Sequence, residues 1–391
     1  MMMGFEKWLG DRLNKTKESG KFRTVKTMNA GPSPIMEIDG RKQLVFSSNN
    51  YLGLANDERC IYAAETILHQ FGVGSSGTGI TTGYTKWHLI LENKLAQFIN
   101  TEATILFSDG SLAIFGVLLS IPEKGDVILC DQFNHVSILD GCQLSYAESI
   151  HYLHVNMEDL EEKLRDSQDH KRRFIVTKGV FSEDGAVAPL DKIMSLAKQY
   201  QAHVIVDDSH GIGIFGEKGR GTCEYFNVRP DIIIGSLSNA VGAEGGFVCG
   251  SKVLIDFLRN HAKTFVYHPS IPPSICAAAY AALEIIETNQ EIRKQIFTEV
   301  NYARNQLGDM GFYIKGHLSP IITVVIGDPH QAEAFSTRLE EEGIFVPLIP
   351  QPTNISRESS INITITANHT HKDIKYLLSK FQMIGKEMNI I

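Results

Sequence analysis

From about residue 60 to residue 280, short apolar runs alternate with longer stretches of helical character, and this alternation constrains the fold more than any other feature of the chain. The runs are Ala103–Ser108, Asp126–Cys130, Ser149–Leu153, Arg173–Thr177, His203–Val206, Ile232–Ile234 and Gly246–Cys249. A strand that is apolar on both faces must be covered on both, and a helix between strands lets the chain return in the same direction. The pattern therefore predicts a mostly parallel sheet between helical layers. Ligands of such sheets collect beyond the strands' carboxyl ends, where the unusual residues of this chain also fall.

Beyond Pro273 neither glycine nor proline interrupts the chain before Gly308, which predicts a long helix with room for one break. A smaller unit follows, with a strand pair Ile321–Ile326 and Ile361–Thr366 and a helix from about His330 to Glu342 between them. Residues 1–45 are polar and mixed and read as an amphipathic arm before a first strand, Leu44–Ser47. The expected division is an arm (1–45), a large α/β domain (46–285) and a small C-terminal α+β domain (286–391). No repeat or low-complexity tract is evident.

With 391 residues, 43% of them hydrophobic, the chain can bury a large core. A net charge of −8 without a block of Lys or Arg argues against nucleic acid as a partner. The start, Met1-Met2-Met3-Gly4-Phe5-Glu6-Lys7, lacks the layout of a signal peptide. No apolar run approaches the ~20 residues that span a membrane. The six cysteines are scattered without CxxC spacing, as expected of reduced, buried thiols in a cytoplasmic protein with no metal site.

The run Asp231-Ile232-Ile233-Ile234-Gly235 opens into Ser236-Leu237-Ser238-Asn239-Ala240-Val241-Gly242-Ala243-Glu244-Gly245-Gly246. Four further segments carry polar groups at strand ends. They are Phe46-Ser47-Ser48-Asn49-Asn50-Tyr51-Leu52-Gly53-Leu54, Asp131-Gln132-Phe133-Asn134-His135-Val136-Ser137, Gly179-Val180-Phe181-Ser182-Glu183-Asp184-Gly185 and Val206-Asp207-Asp208-Ser209-His210-Gly211-Ile212-Gly213. Taken singly, each has a bland reading. Asp207 could cap a helix, His135 and His210 could bond to backbone, and Gly110-Ser111 could be an ordinary turn into a helix.

In this order, together with Gly216-Glu217-Lys218-Gly219-Arg220-Gly221, the segments resemble the α-oxoamine synthases of the fold-type I pyridoxal-phosphate (PLP) superfamily, from about residue 40 to the C-terminus. The chain looks most like the 8-amino-7-oxononanoate synthase branch, and also resembles 2-amino-3-ketobutyrate CoA ligases and serine palmitoyltransferases. The resemblance implies an aspartate aminotransferase-like three-layer sandwich with a smaller C-terminal α+β domain, assembled as a homodimer with sites at the subunit interface. It places Asp207 against the pyridine nitrogen, where a carboxylate keeps the ring an electron sink. It places His210 at the phenolic oxygen. His135 would stack over the ring, with an imidazole suited to proton transfer near neutrality. Ser182 and Ser236 would lie near the ring and its phosphate, Gly110 and Ser111 at a phosphate-holding helix start, and Asn49 toward substrate.

The departures from the family pattern are equally specific. That pattern reads roughly T/S-x-x-K-x-x-G-x-x-G-G, and its lysine holds PLP as an imine; here the position is Asn239, and an amide forms no imine. Pro269 stands where the family has a phosphate-binding threonine, and proline offers neither hydroxyl nor N–H. Asn362 stands at the position of the arginine for the amino-acid carboxylate, with Arg357 as a nearby substitute. Lys178 replaces an acid, either as a relocated base or anion ligand or as a solvated surface lysine. The expectation is an acyltransferase acting on an acyl-CoA or acyl-carrier-protein thioester, with His135, His210, Lys178 and Asn239 at the reacting centre. PLP would be held noncovalently or not at all. Two alternatives stand beside it: a non-catalytic partner of a lysine-bearing homologue, and a decarboxylating synthase whose lysine has been changed.

Overall fold

The computed structural model describes residues 2–18, 22–346, 348 and 359–391. Its strands, in chain order, are β1 (Ile35–Ile38), β2 (Arg41–Val45), β3 (Ala103–Phe107), β4 (Val127–Asp131), β5 (Glu148–Tyr152), β6 (Arg173–Lys178), β7 (His203–Asp207), β8 (Ile232–Ser236), β9 (Gly246–Gly250), β10 (Tyr313–Lys315), β11 (Ile321–Gly327), β12 (Ile344–Phe345) and β13 (Ser359–Thr364). The apolar runs line up in one seven-stranded sheet of order β3-β9-β8-β7-β6-β4-β5. Only β9 runs against its neighbours, β3 and β8, so the expected parallel character holds. Every residue of β4, β8 and β9 is buried, as double coverage by helices requires.

One consequence of this order positions the site. Strands β4 and β6 are neighbours, yet the chain leaves β4 outward to β5 and leaves β6 the other way to β7. Connections that diverge from adjacent parallel strands open a crevice at their carboxyl ends. The loops bordering it are those after Asp131 and after Lys178.

The long helical stretch is two helices, Pro273–Thr288 and Gln290–Asp309, and the break falls at Asn289, whose side chain caps the second by accepting from the Ile292 amide. The smaller sheet, β10-β11-β13, is antiparallel, with helices Gln290–Asp309 and Pro329–Glu341 against it and His371–Glu387 packed on those two helices. Phe312, Phe335 and Phe381 pack together in its core.

The first 45 residues are more structured than an arm. They contain the helix Met2–Glu18 and the hairpin β1–β2, and β2 pairs in parallel with β12. The expected first strand thus begins earlier and ends at Val45. The hairpin turns at Asp39-Gly40, both with positive φ (48° and 80°), as a two-residue type I′ turn demands. Strands β4 and β5 are likewise offset by one residue from the apolar runs that mark them.

The glycines of three sequence motifs have a shared cause. Asp208, just after β7, is fully buried, and its carboxylate accepts from the Thr222 amide (2.7 Å) and hydroxyl (2.8 Å). Burial outweighs these bonds and pushes its pKa up to about 7. A Cβ at Gly179, Gly211 or Gly221 would lie 2.2, 2.0 or 2.0 Å from a carboxylate oxygen of Asp208. Only glycine fits at these three positions. Gly211→Ala should therefore cost ~1–3 kcal/mol by overpacking, read as a lower urea midpoint. Gly308→Ala, where an added Cβ meets nothing within 4 Å, should shift stability upward by no more than ~1 kcal/mol.

Candidate active site

Asp207 ends β7, and its register partner on β6 is Lys178, so an acid and a base stand side by side at the carboxyl edge of the sheet. Asp207 is 5% exposed. Its Oδ1 accepts from the Ser209 amide (3.1 Å) and hydroxyl (2.5 Å), and its Oδ2 has no hydrogen-bond partner among the described residues. Lys178 is 1% exposed, which excludes the solvated-surface reading. Its Nζ donates to Ser182 Oγ (2.7 Å) and to Glu183 Oε2 (2.9 Å), and Ser182 Oγ donates to the other oxygen of the same carboxylate (3.1 Å). A buried ammonium needs such a partner, because an unpaired charge in the interior is strongly destabilising.

Asn362 on β13 is fully engaged. Its Nδ2 donates to the carbonyls of Ser182 (3.0 Å) and Glu183 (3.2 Å), and its Oδ1 accepts from Thr323 Oγ1 (2.9 Å). The smaller sheet thereby holds the loop that neutralises Lys178. Arg357, the other cation considered for this region, lies outside the described residues.

His135 caps the helix Val136–Leu144, its Nδ1 accepting from the Ser137 amide at 3.3 Å and lying 2.9 Å from Ser137 Oγ. Ser137 Oγ in turn donates to Ser111 Oγ (3.0 Å), which ties His135 to the start of the helix Gly110–Leu118. Asp109 caps that helix, and Ser236 sits beside Gly110: a Cβ on Gly110 would lie 3.5 Å from Ser236 Cβ. Ser236 Oγ lies 2.7 Å from Ser238 Oγ. The structure thus gathers Gly110, Ser111 and Ser236 around one helix N-terminus, whose free amides favour an anion. Beside it Ser108 Oγ donates to the Pro269 carbonyl, and His268 Nδ1 lies 3.0 Å from the same hydroxyl.

His210 Nδ1 is 2.7 Å from Tyr51 Oη, and Tyr51 also reaches Asn49 Oδ1 at 3.5 Å. Asn239 is buried and its Nδ2 donates to the Ser209 carbonyl (2.9 Å), so its loop is fastened to the Asp207–His210 turn. Burial and then the Lys178 charge push both histidines below the ordinary imidazole range, His210 farther than His135. Both imidazoles are therefore neutral at pH 7. Among the described residues no group of three metal-ligating side chains comes together, and no helix is long and apolar enough to cross a membrane. All six cysteines are free and buried.

Sequence reasoning brought out nearly every residue of this cluster but missed Tyr51 and Glu183 as members. Tyr51 was carried by the Asn50-Tyr51-Leu52-Gly53 segment. Glu183 was signalled by charge alone, as an acid five residues after an unexpected lysine.

The profile of the aminotransferase class I and II family matches residues 41–381. The chain belongs to that family. It is 54% identical over 389 residues to 8-amino-7-oxononanoate synthase 2 of Bacillus subtilis, with each chain covered completely, and 43% identical to 8-amino-7-oxononanoate synthase of Lysinibacillus sphaericus, with 97% and 98% covered. Among solved structures it superposes on Sphingomonas wittichii serine palmitoyltransferase with a TM-score of 0.92 at 29% identity, covering 100% of this chain and 99% of the other. It also superposes on 8-amino-7-oxononanoate synthase of Francisella tularensis with a TM-score of 0.78 at 26% identity, covering 89% and 98%. The fold is that of the fold-type I PLP enzymes.

The buried pair gives a test of the site's electrostatics. Glu183→Gln leaves the Lys178 ammonium without its counter-charge and should destabilise the protein by ~3–5 kcal/mol. Lys178→Met with Glu183→Gln should recover most of that loss. Urea unfolding of the single and double variants checks both.

Proposed function

We propose that the chain is an acyltransferase of the α-oxoamine synthase type that takes an acyl-CoA or acyl-carrier-protein thioester and holds PLP without a covalent bond. The observation that carries this reading is Asn239. The nitrogen offered by the glycine-rich loop after β8 is an amide, and it is committed to the Ser209 carbonyl. Lys178, in register with Asp207, is buried and engaged by Ser182 and Glu183.

The other residues fit the cofactor's ring and phosphate. Asp207 keeps an open carboxylate oxygen for a protonated ring nitrogen, with His210 and Ser182 beside it. The amides at Gly110 and Ser111, with the Ser236 hydroxyl, suit a phosphate. When bound, PLP supplies an electron sink. In acyl transfer itself, His135 acts as a neutral base. It takes the proton of an attacking amine or other nucleophile as the new bond to the thioester carbon forms, and returns it to the thiolate sulfur as the carbon–sulfur bond breaks. Asn49, which Tyr51 reaches, is assigned to substrate. The same reading takes the protein as a cytoplasmic homodimer, which is supported by the apolar side chains Phe5, Trp8, Leu9 and Leu13 exposed on the first helix.

A second reading is favoured by the full-length similarity to 8-amino-7-oxononanoate synthase 2: a decarboxylating synthase whose lysine position carries Asn239. Two experiments separate the readings. Borohydride treatment of the PLP-loaded wild type should attach no pyridoxyl group, and absorbance near ~420 nm should be absent; a stable adduct, including one on Lys178, sinks the noncovalent reading. Asn239→Lys should then gain the adduct without gaining amino-acid condensation, because charge-assisted bonds to a carboxylate, worth ~1.5–3 kcal/mol each, are still missing at Asn362. Efficient condensation by that single variant establishes the second reading instead.

The proton-transfer role has its own test. His135→Ala and His135→Asn should both lower thioester turnover ~10²–10⁴-fold while thioester binding persists. Undiminished turnover in both variants moves the role to His210 or Lys178.

A further inference from the structure

The crevice between β4 and β6 is bridged by a side chain that the reading above does not use. His154 lies two residues past β5, with its Nδ1 2.9 Å from Asp131 Oδ1 and its Nε2 3.2 Å from Asp184 Oδ2. A carboxylate only accepts, so both ring nitrogens donate and the ring is an imidazolium. Its partners are themselves fixed. Asp131 also accepts from the amides of Phe133 (2.8 Å) and Val155 (2.9 Å), and Asp184 accepts from the Ala186 amide (2.9 Å).

Aromatic contacts repeat the same pattern. Phe133 stacks on the His154 ring at 4.4 Å and 19°, and Phe181 meets it edge-on at 4.5 Å and 86°. Phe133 is two residues from His135, and Phe181 precedes Ser182 and Glu183. Val155 holds a φ of +54°, a conformation a β-branched residue adopts only when its surroundings impose it. The amide of this strained residue is one of those bonded to Asp131.

We propose that His154 is a positioning residue, a charged clamp across the crevice that fixes the loop bearing His135 against the loop bearing Ser182 and Glu183. It acts through these loops and not on substrate. The clamp stands on this geometry alone; its effect on turnover rests on the acyl-transfer reading.

The ring's titration gives the clamp a pH signature. Burial opposes the charge, but hydrogen bonds and charge from Asp131 and Asp184 prevail and raise the pKa to about 9. A pKa raised above the ordinary 6.5 contributes stability that is fully present below pH ~6.5 and is lost as pH rises through about 9. The other titratable groups facing this pair are Lys178 beside Asp184, and Cys130, His151 and Tyr152 beside Asp131. Cys130 and Tyr152 are held well above their ordinary values and stay uncharged in that window.

Hydrogen–deuterium exchange of the full chain, with kinetics on the same samples, tests the clamp. In wild type, segments 131–137 and 181–186 should be protected together and loosen together as pH passes about 9. His154→Gln and Asp184→Asn should each raise exchange in both segments by ~10-fold and abolish that pH step, and the double variant should add little. Thioester kcat should fall ~10–100-fold with KM within ~2-fold, since the loss is one of alignment. If His154→Gln does not fold, Asp184→Asn carries the test, because it leaves the Asp131 contact in place. Exchange confined to the segment around His154, an unaltered 131–137 segment in Asp184→Asn, or additive effects in the double variant overturns the clamp. An unchanged kcat in variants that loosen both segments overturns its positioning role. Absence of thioester turnover in wild type overturns the acyl-transfer reading, and exchange still decides the clamp.

Discussion

The seven-stranded sheet must be covered on both faces, and this requirement governs where polar chemistry can occur. Strands such as β4, β8 and β9 offer no exposed residue, so charged groups are displaced to the strand ends. At the carboxyl ends the loops after β4, β6, β7 and β8 converge on Asp207. The divergence of the chain from β4 and β6 leaves a crevice there that loops alone must close. The turn at Gly110, which follows β3, and the amide of Asn239, which follows β8, lie at the same edge of the sheet.

Within the crevice, charge is balanced locally and not by solvent. Lys178 sits next to Asp207 in register but is answered by Glu183 and Ser182, which are in turn held by Asn362 from the smaller sheet. The small unit therefore contributes to the electrostatics of the large one. The lysine's charge, added to burial, keeps His135 and His210 neutral, the state in which an imidazole can accept a proton. A second, half-buried cation, His154, is answered by Asp131 and Asp184. Two compensated cations thus tie the walls of the crevice together.

The similarity to an 8-amino-7-oxononanoate synthase and to a serine palmitoyltransferase covers the whole chain. Three polar side chains of the candidate site are tied into their surroundings. Asn362 fixes a loop, Glu183 neutralises Lys178, and Asn239 ties its loop to the Asp207–His210 turn. Each of the three has a hydrogen-bond partner within the site.

Much of this was legible in the sequence, because alternation of apolar runs and helices fixes sheet type and because strand ends are marked by a few recognisable segments. His135, Asp207, His210 and Ser236 could be named from those segments, and so could the oddity of Lys178 and Asn239. Strand ends were less legible: apolar runs mark burial, and pairing alone decides where β4 and β5 stop. The hairpin β1–β2 was missed although Asp39-Gly40 is its turn signal, since its strands are half polar and gain their partner, β12, from some three hundred residues away. Nor could sequence show that Lys178 is buried, that Tyr51 meets His210, or that His154 joins two loops. Such contacts link residues distant along the chain. Only the packed sheet, by bringing β4 beside β6 and β13 against the loop after β6, determines which charge answers which.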